Sequence, residues 1–188
     1  MKHTLRYVSG LVVLLWSAEI WAGSYTDTIK LFQNAGESAA YFNNSYGYAV
    51  FPTIGKAGLA VGAAHGRGRV YEHGHYVGTT SMTQLSAGFQ AGAQAYSQII
   101  FFEDQRAFDE FTKGNFEFGA DVNAVAITAA AGGDVGTTGA SANASGGMKD
   151  ARTAGRYYKG IAVFTIVKGG AMYQAVVAGQ KFSYSPKA

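Results

Sequence analysis

A chain of 188 residues in which 48% are apolar, 14% aromatic and 14% charged carries enough material for one packed core, and that balance excludes disorder. Its formal net charge of +3 is too small to imply a nucleic-acid partner, so any electrostatic ligand must be met by a local patch. The absence of cysteine excludes disulfides, thiolate metal ligands and a cysteine-linked lipid anchor.

Residues 1–22 have the layout of a secretory signal peptide. Lys2, His3 and Arg6 give a basic start, residues 7–16 are largely apolar, and Ile20-Trp21-Ala22 places a small residue at a cleavage position. The apolar run is too short for an ordinary membrane-spanning helix. Removal takes Lys2, Arg6 and Glu19 with it, two basic and one acidic residue, and lowers the net charge from +3 to +2. The expected product is a single domain over 23–188, exported to a bacterial periplasm.

Residues 25–43 predict a helix. Ile29, Phe32, Ala35, Gly36, Ala39 and Phe42 recur at three- and four-residue steps, with Thr26 or Asp27 as the cap. From Gly47 the period becomes two. Leu59, Val61, Ala63, His65, Arg67, Arg69 and Tyr71 share one face of a strand, with alanine and glycine on the other. Glu72-His73-Gly74-His75 signals a turn, and residues 76–80 return as the partner strand. A second long strand is predicted over 86–102, with Gln90, Gln94 and Gln98 on one side. Residues 104–113 predict a short helix capped by Asp104, anchored by Phe108 and Phe111, and ended by Gly114.

Residues 116–126 alternate as a half-buried strand with a solvated acidic face. Residues 129–147 are nearly all small, and read either as a loop or as a pair of small-residue strands. Two apolar strands, 161–168 and 171–184, surround Gly169-Gly170 and predict a closing hairpin. Together these elements predict a strand-dominated α+β fold: an antiparallel sheet curled into a barrel-like core with a few flanking helices. The recurrent glycines mark close backbone approach, bulges or tight curvature.

Ordered blocks of this sequence resemble the SYLF domain, a lipid-binding family. They are Ala49-Val50-Phe51-Pro52, Lys56-Ala57-Gly58, Gly66-Arg67-Gly68-Arg69-Val70, Ser86-Ala87-Gly88-Phe89-Gln90 and Phe116-Glu117-Phe118-Gly119-Ala120. The resemblance covers almost all of residues 23–188 and implies a compact β-rich core. Eukaryotic members are associated with phosphoinositide-containing membranes and with actin, and bacterial members are usually exported and treated as lipid-binding. No SH3 or FYVE sequence accompanies these blocks, so the resemblance is carried to lipid and not to actin. It implies a non-enzymatic phospholipid-binding protein at a membrane surface, with no catalytic positions to inherit.

Candidate contacts to anionic headgroups follow from charge and spacing. Arg67 and Arg69 are two residues apart, so they share a strand face beside His65, and guanidinium forks match phosphate geometry. Lys56 lies near them in sequence. Lys149, Arg152, Arg156 and Lys159 are spaced at three, four and three, a basic stripe if helical, although Gly146, Gly147 and Gly155 favour a solvated linker. His65, His73 and His75 suggest a metal, yet a zinc site needs three or four ligands, and a solvated turn fits this stretch better. Gly66-Arg67-Gly68-Arg69 lacks the lysine-serine ending of a phosphate-binding loop, and no nucleophile elbow or paired acid and base stands out. No cofactor is expected. The rival readings are a small outer-membrane β-barrel or envelope structural protein, and a hydrolase with an unrecognised site.

Overall fold

A computed structural model describes residues 24–58, 61–87, 92–122, 124–127, 156–169 and 177–188. The predicted signal peptide, the small-residue segment 129–147, and Lys149 and Arg152 lie outside the described residues. Three short helices come first: α1 (Tyr25–Asn34), α2 (Gly36–Ala39) and α3 (Tyr41–Asn44). The strands are β1 (Gly47–Gly58), β2 (Val61–Glu72), β3 (His75–Ala87), β4 (Gly92–Phe102), β5 (Phe116–Glu117), β6 (Ala124–Ile127), β7 (Ile161–Gly169) and β8 (Lys181–Pro186). Helix α4 (Gln105–Thr112) separates β4 from β5. All eight strands form one sheet, ordered β5-β8-β3-β2-β1-β4-β7-β6 and curled into a half-barrel. The strand-dominated α+β architecture is the one the sequence predicts.

Four details depart from the sequence reading. The 25–43 helix is broken at Ala35, which is extended (φ −81°, ψ 118°), and its cap is Ser24, whose hydroxyl accepts from the Asp27 amide. Gly36 is a poor helix former, and the buried Ser38 hydroxyl donates to the Phe32 carbonyl at 2.6 Å, so the break leaves that carbonyl satisfied. The strand predicted over 86–102 is two strands, since Ser86 and Ala87 end β3 and β4 begins at Gly92. Residues 116–126 hold two short strands at opposite edges of the sheet. Finally, β7 and β8 do not pair. β7 lies between β4 and β6 while β8 lies between β3 and β5, and the β6–β7 pair is parallel, which makes the sheet mixed.

Both sheet faces are covered in part. Phe51, Ile54, Met82, Phe102, Phe118 and Phe182 fill the inner face, and α4 closes one end of it with Ala107, Phe108 and Phe111. Asp104 fixes that helix by accepting from the Ala107 amide at 2.8 Å, and Gly114 takes the left-handed exit (φ 87°). On the outer face, α1–α3 lay Phe32, Ala35, Tyr41 and Phe42 against Tyr48, Phe101 and Phe164 of β1, β4 and β7. Ring centroids there lie 4.9 Å apart for Phe42–Phe101 and 5.0 Å for Tyr41–Phe164, the edge-to-face geometry that adds to simple burial.

Large side chains of β1 need room beneath β2, and glycine provides it. A Cβ on Gly66 would meet Ile54 Cγ1 at 2.6 Å, and one on Gly68 would meet Phe51 Cε1 at 2.7 Å. The close-approach reading of these two glycines is therefore correct. The hairpin between β2 and β3 turns on His73 and Gly74, both at positive φ (48° and 81°), the two-residue turn whose twist matches paired strands.

Candidate functional site

Helices α1–α3 leave the outer face of β2, β3 and β8 largely uncovered. The alternation of β2 is unbroken from Val61 to Arg69, so Val61, Ala63, His65, Arg67 and Arg69 all point outward and are exposed. Antiparallel register carries their rows across the neighbouring strands. Arg69 pairs with Thr79 and Thr79 with Ser185, while Arg67 pairs with Ser81 and Ser81 with Ser183. The two serine hydroxyls in the second row lie 2.6 Å apart. His65, Thr83 and Lys181 form the next row, and Leu85 stands opposite Ala63 beyond it.

A cleft of about 450 Å³ runs over these rows, lined by Arg67, Arg69, Thr79, Ser81, Ser183 and Ser185 with Tyr25 and Tyr76 as its aromatic walls. Tyr25, at the start of α1, places its ring 4.3 Å from the Arg69 guanidinium carbon, and Tyr76 lies 5.1 Å from the same carbon. Both contacts hold Arg69 by cation–π attraction without neutralising it. Burial raises the Tyr25 pKa and the Arg69 charge opposes that rise, so Tyr25 stays a neutral phenol beside the cation at physiological pH. Lys187 also approaches Tyr76, its ammonium 5.5 Å from the ring centre.

Among the described residues neither arginine has an ion-pair partner and no carboxylate lines the cleft. Two guanidinium groups, that of Arg69 held by the two rings, stand beside four aliphatic hydroxyls and make an oxyanion receptor: forks for the charge and hydroxyl donors for the remaining lone pairs. A second cleft of about 560 Å³ shares Tyr25 and Arg67 and continues past His65 to Pro52 and Thr53. The face changes character along β2. It is cationic at Arg67 and Arg69 and apolar at Val61 and Leu85, which are 67% and 79% exposed.

The other predicted contacts are placed elsewhere. Lys56 is on the inner face, 6% exposed, on the opposite side of the sheet from Arg67 and Arg69. Both of its strand pairings slip between Val50 and Ile54, where Pro52 and Thr53 form a bulge and Ser97 donates to the Pro52 carbonyl at 2.7 Å. The bulge reverses the alternation, so Ile54 and Lys56 point inward where unbroken pleating from Phe51 would send them out. Arg156 lines a separate cleft of about 590 Å³ together with Glu37 and Glu103, a mixed-charge surface. Lys159 sits in a turn at φ 51°, and its ammonium is bound to Asp121 at 2.7 Å. Arg156 and Lys159 are therefore not on a helical stripe. His73 packs against Tyr46 with centroids 4.4 Å apart. Among the described residues no cluster of three or more histidine and acidic side chains is arranged to hold a metal.

Sequence spacing identified the arginine pair but missed Tyr25, Tyr76, Lys187 and the serines of β8. Tyr76 had a local signal, being one strand across a predicted turn. Tyr25 and β8 are brought in by packing and by a pairing more than a hundred residues away, which no local pattern reports.

Residues 83–184 match the Ysc84 family model, described as Las17-binding protein actin regulator. The chain belongs to this SYLF-domain family. Beta cell expansion factor A of Aeromonas veronii, itself a SYLF protein, is 28% identical over 178 residues, covering 88% of this chain and 56% of the relative. The chain thus spans about half the length of that curated relative. Lipid binding is consistent with SYLF membership. The family match begins beyond Arg67 and Arg69 and does not include them.

Proposed function

We propose that this SYLF protein is an exported, non-enzymatic protein that binds anionic phospholipid at a membrane surface through the outer face of β2, β3 and β8. The observation that carries the reading is the Arg67–Arg69 cleft, in which two guanidinium groups face the surface beside four hydroxyls and, among the described residues, no carboxylate. A lipid phosphate supplies the missing counter-charge, and phosphoinositide-like headgroups supply more of it. The exposed Val61 and Leu85 on the same face suit shallow contact with the acyl boundary while the arginines stay at headgroup level.

The rival spanning-barrel reading is not favoured. A lipid-facing strand surface needs a continuous apolar band, and His65, Arg67, Arg69 and Lys181 interrupt this one. The test is flotation of the purified protein with vesicles of phosphatidylcholine alone and with phosphatidylserine, phosphatidylglycerol or phosphatidylinositol phosphate added. Selective flotation with the anionic mixtures, without lipid turnover, is the expected result. Equal flotation with phosphatidylcholine, or release of a lipid product, overturns the reading.

A further inference from the structure

The second outer cleft, of about 560 Å³, joins the arginine cleft at Tyr25 and Arg67 and leads away from it over Pro52, Thr53 and Gly55 of β1. Gly55 faces outward opposite His65, and a Cβ placed on it meets no atom within 4 Å. Its backbone is not in the left-handed region either. A strand glycine needed neither for positive φ nor for close packing weakens the strand, and such a position marks an approach by a ligand. Gly66 and Gly68 differ, since side chains of β1 occupy the space their Cβ atoms would take.

Past Gly55 the outer face stays small and apolar. Ala57 pairs with Ala63 and Ala63 with Leu85, and all three are exposed. The charge is gathered at the other end, on Arg67 and Arg69. From Arg67 to Val61 is six positions along β2, about 20 Å at the usual strand rise. The occupant that matches is an anionic head joined to a thin apolar tail. A peptide fits poorly, because β1 and β2 have strand partners on both sides and offer it no free edge. Over an apolar floor its own backbone groups would go unpaired.

We propose that the two joined clefts hold one single-chain phospholipid as a monomer, its phosphate on Arg67 and Arg69 and its acyl chain lying along the sheet over Gly55 toward Ala57 and Ala63. This rests on the anionic-lipid reading above and adds that the lipid is taken out of the bilayer, with its chain against the protein. Tyr25 walls both clefts and so stands where head meets chain.

The experiment uses the full chain and lysophosphatidylglycerol with octanoyl, decanoyl or dodecanoyl chains, each below its micellar concentration. Glycerophosphoglycerol is the chain-free control, and titration calorimetry reads the affinity. A chain in a cleft open on one side gains about half the full transfer value, so affinity should rise about twofold per added methylene. Gly55→Phe puts a ring into the open space over the floor. It should weaken the dodecanoyl lipid at least about tenfold, the contact of three to four methylenes, and leave flotation with phosphatidylglycerol vesicles intact. Should Gly55→Phe fail to fold, Gly55→Ala replaces it, with a loss of about twofold expected. Affinity that ignores chain length, or that neither Gly55 variant weakens, refutes the groove; if the wild type still floats with anionic vesicles, the surface reading survives that result. Chain-dependent monomer binding by a protein that does not float upholds the groove and overturns the surface reading.

Discussion

Replacing Arg67 with alanine removes one guanidinium from the outer cleft and disturbs little else, because Arg67 makes no ion pair among the described residues. Arg69 is different. It also holds Tyr25 at 4.3 Å and Tyr76 at 5.1 Å, contacts worth roughly 0.5–1 kcal/mol each at an exposed site. Arg69→Ala therefore lowers folding stability by about 1–2 kcal/mol as well as weakening lipid binding, while Arg67→Ala isolates the binding effect. A basic residue at an anionic membrane surface contributes about 1 kcal/mol, so Arg67→Ala should weaken vesicle partition about fivefold and the double variant about thirtyfold.

The assay is co-flotation with vesicles containing phosphatidylserine over a lipid titration, at two salt concentrations. The screening length falls from about 8 Å at physiological ionic strength to about 3 Å at 1 M, so wild-type partition must weaken with salt and the variants must respond less. Arg67→Glu adds repulsion to the loss and should bind more weakly still. If Arg67→Ala and the double variant partition like the wild type at low salt, the outer cleft is not the headgroup site and the reasoning from its geometry fails.

Gly68→Ala places a methyl 2.7 Å from Phe51 Cε1 and 2.9 Å from Thr80 Cγ2, so chemical denaturation should show a loss of about 1–3 kcal/mol, the range for an overpacked core. Gly55→Ala, where no atom lies within 4 Å, is the control and should be much milder. Asp104→Ala removes the cap of α4 and should cost about 1 kcal/mol by the same measurement. The Asp121 carboxyl is held down to about 2 by hydrogen bonds from Lys159 and Tyr158. Its folded pKa lies below its unfolded value of 3.8, so the contribution is present above that value and is lost as pH falls toward 2; Asp121→Asn should flatten the acid limb of a stability–pH curve. Burial pushes Tyr48 up to about 12 from 10.0, so its contribution is present below pH 10 and is lost as pH rises through 12. Tyr48→Phe should therefore move alkaline unfolding, followed by circular dichroism, to higher pH.

Much of this molecule is legible along the chain. The alternation from Val61 to Arg69 predicts which side chains face out, because a strand's pleat is a local property that needs no knowledge of the partner. The start of α4 at Asp104 and the turn at His73-Gly74 are equally local, since cap and turn chemistry involve residues within three or four positions. The arginine pair of the outer cleft follows from the same two-residue period.

Strand partners and the sidedness of β1 past Pro52 were decided by the tertiary structure. Gly169-Gly170 has the composition of a hairpin turn, yet β7 and β8 are separated in the sheet by β3, β2, β1 and β4, because each has a better non-local partner. The bulge at Pro52-Thr53 reverses the pleat, and one added residue is enough to carry Lys56 from the arginine face to the interior. Composition suggests a solvated lysine near a basic pair. The folded sheet instead buries it among glutamines, since sidedness depends on the count of pleats from the bulge and not on the polarity of the residue.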